Sequence, residues 1–438
     1  MTRTTSHDVK WWESAKIYEL YVDKFADNFK GLTSRLDYFE HLGINTLHVL
    51  PHYPSPMVDD GYDVSDYRSV RPELGTVEDF KTFSDEAHRR GIRIIVDFVL
   101  NHVSSQHPWF LEASSSEANQ KRDFFLWSKT GAELPDCANP FIDFKPQNWI
   151  WNEATADYFY ATFYPAQPDL NWENPEVFSL MVDNMNFWVD LGVNGFRLDA
   201  IPYLIKRENS SSRGLPETHD IIKRIRAHLD RAYDGRIALL AEASGNIEES
   251  ASYFGNGDEC QLVYSFALAI RMFEAVYENN TRPIVELTEL PVFRNIPEHC
   301  SWGVFLRNHD DINMDGVPDG ERAGLLNFLD PKHEYPFLNG KTASVRLGTI
   351  FFDSPERILE SFRLLYSMPG VPVMYYGDEI GMRNLPVADN IVDTRKYVRG
   401  DFDWRIADAM LKDPTSLLEN TARCIKGGRT NADNKSSA

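Results

Sequence analysis

Short apolar runs alternate with amphipathic helical stretches along almost all of this chain. That rhythm restricts the fold more than any other feature. Candidate strands lie at 16–22, 46–50, 92–100, 195–200, 237–242, 262–266, 302–306 and 371–376. Helical spacing of apolar residues falls between them at 32–43, 77–90, 175–191, 219–233, 268–277 and 355–367, with glycine stops such as Gly43 and Gly91. A last helical region spans 401–426. Strand and helix in alternation imply parallel strands joined by crossover helices. The 92–100 run is apolar almost throughout, as a strand covered on both faces must be. Eight such strands, and no glycine-rich nucleotide fingerprint, favour an α/β fold of the closed (β/α)8 TIM-barrel type over an open doubly wound sheet.

The rhythm lapses from 103 to 174, where aromatics, prolines and asparagines replace clean alternation. A structureless loop of that length is implausible in a compact domain, so an inserted subdomain is expected after the third strand. The layout is then a first barrel part over 1–102, the insert over 103–174, a second barrel part over 175–426 and a disordered tail over 427–438. A formal net charge of −21 argues against nucleic acid and anionic membrane as partners. The four cysteines are scattered and form no Cys-x-x-Cys, which argues against a disulfide framework or a zinc site. The N-terminus has no signal-peptide pattern and no run reaches membrane-spanning length, so a cytoplasmic location is expected.

In a barrel of this type the chemistry sits at the C-terminal ends of the strands. Those ends are unusually polar here. In Gly195-Phe196-Arg197-Leu198-Asp199-Ala200, period-two alternation points Arg197 and Asp199 to one side. The guanidinium is expected to keep Asp199 ionised, as a nucleophile needs. Glu242 closes the apolar run Leu239-Leu240-Ala241, a setting suited to a proton donor. Asp310 ends Asn308-His309-Asp310. A charged and a protonated carboxyl flanking one bond is the arrangement for glycoside cleavage. His102 and His309 stand where they can bond sugar hydroxyls; the alternative for either is a core histidine satisfied by backbone.

Four segments, Asp97-Phe98-Val99-Leu100-Asn101-His102, Gly195-Phe196-Arg197-Leu198-Asp199, Glu242 and Asn308-His309-Asp310, resemble the ordered motifs of the α-amylase family (glycoside hydrolase family 13). The likeness runs over roughly 12–404. It implies Asp199 as nucleophile, Glu242 as acid/base and Asp310 as stabiliser of the transition state, with Asp59, Tyr62, His102, Arg197 and His309 around the glycosyl unit. It also implies that the insert is that family's domain B. Gln167-Pro168-Asp169-Leu170-Asn171 is similar to the signature of members acting on small α-glucosides, and the stretches around Glu242, Tyr253–Cys260 and Asp310 resemble trehalose-synthase-type members. The first functional reading is therefore a retaining α-glucosidase or transglucosylase acting on small α-glucosides such as maltose by double displacement. The second is a trehalose-synthase-type isomerase. A catalytically inactive sugar-binding or scaffold barrel is the reading of a different class, and the presence of all three carboxylates speaks against it.

Two departures from the family pattern bear on the acceptor sugar. Tyr397-Val398-Arg399-Gly400-Asp401-Phe402-Asp403-Trp404 stands where such enzymes carry an Arg-Thr-Pro-Met-Gln-Trp-like segment, and the sequence does not reach the family's C-terminal β-sandwich. The resemblance further implies one Ca2+ held by Asn101, Asp169, Glu208 and the carbonyls of Tyr203 and Leu204, and no organic cofactor. Asp311-x-Asn313-x-Asp315-Gly316 begins like an EF-hand loop, but its twelfth position is Arg322, which cannot coordinate a cation.

Overall fold

The eight apolar runs become neighbouring parallel strands in the computed structural model, which describes residues 10–315, 317–352, 354–388 and 392–427. They are β1 (Ile17–Leu20), β2 (Thr46–Val49), β3 (Arg93–Val99), β4 (Gly195–Asp199), β5 (Ala238–Ala241), β6 (Leu262–Tyr264), β7 (Ser301–Phe305) and β8 (Val371–Tyr375). Each pairs in parallel with the next, and β1 pairs with β8, so the sheet closes into a barrel in chain order. Such closure leaves no strand edge unpaired. Gly195 is required where β4 meets β5: a Cβ there would lie 2.8 Å from the carbonyl oxygen of Ala238.

Strand parity sorts the side chains into two cores. Tyr18, Leu20, Leu47, Val49, Val96, Phe98, Phe196 and Leu198 point outward and join the large cluster beneath the helices. Ile17, Ile95, Ala238, Leu240, Leu262, Tyr264, Phe305, Val371 and Val373 point inward, with Trp12 packed in the same cluster. Inward positions nearer the strand C-termini change character. Glu19, His48, Asp97 and Arg197 are all buried there, above the apolar floor. A barrel interior this polar must satisfy its charges internally.

Between β3 and β4 lie a helix (Pro108–Ser115) and a three-stranded antiparallel sheet of Trp127–Ser128, Trp149–Asn152 and Asp157–Tyr160. Between β7 and β8, Pro336–Phe337 and Thr342–Ala343 pair as a small antiparallel ribbon. Both excursions rise over the C-terminal mouth of the barrel.

Some helices differ from the pattern read in the sequence. The 32–43 stretch is two helices, Phe29–Ser34 and Leu36–Leu42. The hydroxyls of Thr33 and Ser34 bond back to Phe29 and Gly31 carbonyls at the join, and Arg35 stacks on Trp404, 3.8 Å from the ring centre. The 219–233 helix starts earlier, at Pro216, because proline is well placed in a first turn. The final region is two helices, Trp404–Met410 and Leu417–Gly427, the first capped by Asp403. The tail read as disordered lies outside the described residues from 428 onward. No helix among the described residues is long and apolar enough to cross a membrane.

Glu379 illustrates how tightly charge is confined in this fold. It follows β8, is fully buried, and accepts from the hydroxyls of Tyr18 (2.6 Å) and Tyr38 (2.7 Å). Burial pushes its carboxyl up to about 7 in spite of those two hydrogen bonds. The folded chain thus keeps a proton that the unfolded chain releases near 4.5, so this contribution is complete at low pH and is lost as pH rises through 7. Urea unfolding across pH 4.5–8 is expected to show the wild type losing about 3 kcal/mol relative to Glu379→Gln.

Candidate active site

Asp199 is the last residue of β4, Glu242 follows β5 directly, and Asp310 sits in the loop after β7. Parallel closure brings these three strand ends to one rim, and all three carboxylates line one cavity of about 170 Å3. Asp59, Tyr62, His102 and His309 share its wall. Arg197 lies just beneath, fully buried.

One guanidinium organises the acids. Arg197 Nη1 donates to Asp97 Oδ1 (2.7 Å) and to Asp199 Oδ1 (2.6 Å). Its Nη2 stands 2.6 Å from Glu242 Oε1, an ion pair not aligned as a hydrogen bond. Glu242 Oε2 accepts from the backbone N–H of Ala200 (3.1 Å), which the left-handed turn at Ala200, φ 51°, presents toward it. Glu242 therefore accepts on one oxygen and faces a cation with the other. To deliver a proton to a glycosidic oxygen it must leave at least one of these partners.

The expectation that Arg197 keeps Asp199 ionised needs correcting. The pairing is present, but burial pushes the Asp199 carboxyl well above its ordinary range; Arg197 pulls it down, and the charges of Glu242 and Asp97 push it up again. Asp310 shifts the other way. Burial raises it, yet His309, Arg395, Arg399 and Arg197 together hold it below the usual carboxylate range.

His102 is buried, and burial lowers its imidazole to about 4, so it is neutral near pH 7. Its Nε2 has no protein partner and the ring lines the cavity, as a group waiting for a ligand hydroxyl does. Tyr62 stacks on His309, ring centres 5.4 Å apart, with its hydroxyl 2.6 Å from His309 Nε2.

Other residues at or behind the wall were given no site role in the sequence reading. Arg395 pairs with Asp59 (2.9 Å), Asp393 (2.7 Å) and Asp310 (3.3 Å), and its guanidinium lies 5.0 Å and 5.1 Å from the rings of Phe141 and Phe337. Gln167 donates to the second oxygen of Asp59 (3.0 Å). Arg399 holds Asp60 (2.6 Å) and Asp310 (2.9 Å). Phe141 and Tyr164 from the insert meet Phe337 from the ribbon in a separate apolar cluster over the mouth. The backbone N–H of Asn339 closes the contact on Asp143 (2.7 Å). Nothing local marks Arg395 or Phe337, since their meaning lies in contacts hundreds of residues apart. Glu19 and His48 did leave a signal, a charged or titratable residue at the centre of an apolar strand.

Of the oxygens assigned to calcium, those of Asn101, Asp169 and the Tyr203 carbonyl meet, but around a side chain, and neither Glu208 nor the Leu204 carbonyl is among the partners of that side chain. Lys206 Nζ donates to Asn101 Oδ1 (3.0 Å) and the Tyr203 carbonyl (2.6 Å) and is ion-paired with Asp169. Glu208 is exposed at the surface and accepts from the N–H of Leu134 (2.9 Å). An ammonium already stands where these oxygens converge, so the set as arranged does not fit a divalent cation. Among the described residues no cluster of His, Cys, Asp and Glu is disposed to hold a metal. Asp311 and Asn313 of the EF-hand-like run line the active-site cavity instead, and burial raises the Asp311 carboxyl to about 6.

Comparison with known proteins gives the family and the fold. Residues 19–319 match the family model described as alpha amylase, catalytic domain. The chain is 41% identical over 399 residues to a trehalose synthase/amylase of Mycolicibacterium smegmatis, covering 87% of this chain and 66% of that protein. It is 30% identical to an oligo-1,6-glucosidase of Parageobacillus thermoglucosidasius, covering 96% of this chain and 74% of that one. An isomaltulose synthase from Klebsiella sp. LX3 superposes with a TM-score of 0.76 at 24% identity, over 95% of this chain and 84% of that chain, and shares the fold. The chain thus spans about two-thirds of the length of the first of these relatives.

Two outcomes follow from the charges described. With an α-glucosyl fluoride, whose leaving group needs no acid, Glu242→Gln removes a negative charge beside Asp199. The acid limb of kcat/KM is then expected to move to lower pH than in the wild type. Lys206→Met strands the buried Asp169 carboxylate and is expected to lower unfolding free energy by about 3–5 kcal/mol, whereas a chelator leaves the wild-type melting temperature unchanged.

Proposed function

This chain belongs to the α-amylase family of enzymes, and we propose that within it the protein is a retaining α-glucosyl-transfer enzyme that isomerises small α-glucosides such as maltose. Asp199 attacks the anomeric carbon as the C1–O bond to the leaving sugar breaks, and Glu242 gives that oxygen its proton. A covalent glucosyl ester on Asp199 results. Glu242, now a base, takes a proton from an acceptor hydroxyl as that oxygen displaces Asp199 from C1. Both carboxyls touch one guanidinium, which supports the close spacing of retaining enzymes over the wider spacing that accommodates a water between sugar and base.

The observation that carries the isomerase reading is the roof. Phe141 and Phe337 line the cavity with Tyr164 in the same apolar cluster, which narrows the mouth, and Arg395 is packed against two of those rings with its charge turned to Asp59 and Asp310. At about 170 Å3 the space lies below the range of about 300–1,000 Å3 usual for ligand pockets. A departing sugar held under such a roof is the nearest acceptor, ahead of bulk water. Likeness to a trehalose synthase/amylase at 41% identity supports this order over the one read from the sequence, which set an α-glucosidase or transglucosylase first and the isomerase second. Hydrolysis is the competing reading, supported by the oligo-1,6-glucosidase relative. Both use the same three carboxylates, Asp199, Glu242 and Asp310, and differ in what reaches C1 second.

Lys206 enters this proposal in place of calcium, as an internal cation tying the insert's Asp169 to the barrel's Asn101. No step of the reaction passes through it.

Incubation with maltose, with trehalose and glucose resolved over time, tests the proposal. Trehalose is expected to dominate the early products; glucose as the main product would replace isomerisation by hydrolysis. Asp199→Asn is expected to lower either activity by about 10³-fold or more. Full activity in that variant would leave only a non-catalytic barrel.

A further inference from the structure

Beneath the nucleophile a closed ring of hydrogen-bonding groups runs through the barrel interior. Glu19 Oε2 meets His48 Nδ1 at 3.2 Å, and His48 Nε2 meets Asp97 Oδ2 at 3.2 Å. The Tyr62 hydroxyl lies 3.0 Å from the same Asp97 oxygen and 2.6 Å from His309 Nε2. His309 returns to Glu19 Oε1 through both its Nδ1 and its backbone N–H, each at 3.0 Å. Every member is buried.

His48 is the member with no part in the reading above. It touches no cavity surface, yet it links the two arms that do. Asp97 holds Arg197, and Arg197 holds Asp199. Glu19 holds His309, which stands beside Tyr62 and Asp310. A carboxylate only accepts, so bonds from both ring nitrogens to two carboxylates require a proton on each nitrogen. The groups facing His48 are Glu19 from β1, Asp97 from β3 and the Tyr264 hydroxyl from β6, 3.5 Å away; Arg197 on β4 and His309 after β7 complete the shell.

We propose, resting on the retaining α-glucosyl reading, that His48 is a positioning residue: as an imidazolium shared by Glu19 and Asp97 it fixes both the arginine that orients the nucleophile and the tyrosine–histidine pair that meets the sugar. Its surroundings agree. Burial lowers the proton affinity of His48, but the hydrogen bonds and charges of Asp97 and Glu19 more than reverse this, and the net direction is upward. Glu19 and Asp97 are held below the ordinary carboxylate range, with His48 among the causes. Without that cation Asp97 draws harder on Arg197, the hold on Asp199 weakens, and the proton affinity of the nucleophile rises.

The test compares the full-length wild type with His48→Asn and His48→Gln, using maltose across pH and thermal melting to establish folding. Both folded variants are expected to lose kcat about tenfold or more with KM within about threefold, and their acid limb of kcat/KM to move up by about one pH unit. Glutamine, able to reach one of the two carboxylates, is expected to recover part of the loss. Ring-nitrogen NMR of the wild type, assigned with these variants or by selective labelling, is expected to show both His48 nitrogens protonated at pH 7. A folded variant with an unmoved acid limb overturns the proposal, and so does a neutral His48 at pH 7. If the wild type acts on no α-glucoside, the reaction reading falls, and the nitrogen signals still decide whether His48 forms the charged bridge.

Discussion

The pairing of Arg197 with Asp97, Asp199 and Glu242 is the constraint from which the rest of the site follows. Three carboxylates cannot share a dry barrel mouth unless a cation lies among them. Placing that cation on β4, two residues before the nucleophile, lets strand alternation aim it and Asp199 the same way. Parallel register then brings Asp97 alongside, since Asp97 on β3 pairs with Arg197 itself. The catalytic geometry is therefore set by backbone register as much as by side-chain contacts. A slip of one residue between β3 and β4 would turn the acids out toward the helices.

Above this floor the insert and the ribbon between β7 and β8 supply what the barrel cannot, a cover. The fold makes an open rim of strand ends, and an open rim admits water. Aromatic side chains from the two excursions narrow it, and Arg395 joins them to the floor through Asp59, Asp310 and Asp393. In the proposed reaction, the transfer chemistry and the partial shielding from water thus come from separate parts of the chain, joined by one buried guanidinium.

Much of the barrel was legible in the sequence because both of its signals are local. Apolar runs such as 92–100 announced strands, and polar residues at their C-terminal ends announced the rim. Asp199, Glu242 and Asp310 were found together for that reason, as were His102 and His309, whereas Asp59 and Tyr62 came from the family resemblance. What could not be read depends on distance in sequence or on balance of energies. Arg395 is 336 residues from Asp59, and no spacing rule joins them. The upward shift at Asp199 is a contest between burial and a neighbouring charge, and only the depth of the barrel decides it. The calcium expectation turned on Lys206, whose long side chain carries its charge back to Asn101 and Asp169 while Glu208, two residues on, stays at the surface.

The excess of acid at the mouth then has a chemical rationale. Glu19, Asp59, Asp60, Asp97, Asp199, Glu242, Asp310 and Asp393 surround or underlie the cavity, against Arg197, Arg395, Arg399 and the proposed charge on His48. Such an imbalance works against folding, because each unpaired buried carboxylate is desolvated at a cost. It is favourable only for a ligand that becomes positive while bound. A glycosyl group passing through an oxocarbenium-like state does so at the atom facing Asp199, and fixed negative charge already in place stabilises that state without reorganisation. The cations do not balance this excess: Arg197 lies below Asp199, Arg399 holds Asp60 and Asp310, and Arg395 at the cavity wall pairs with Asp59, Asp310 and Asp393. On the proposed reaction, the site thus accepts a ground-state penalty in its acids and recovers it where the substrate carries its transient charge.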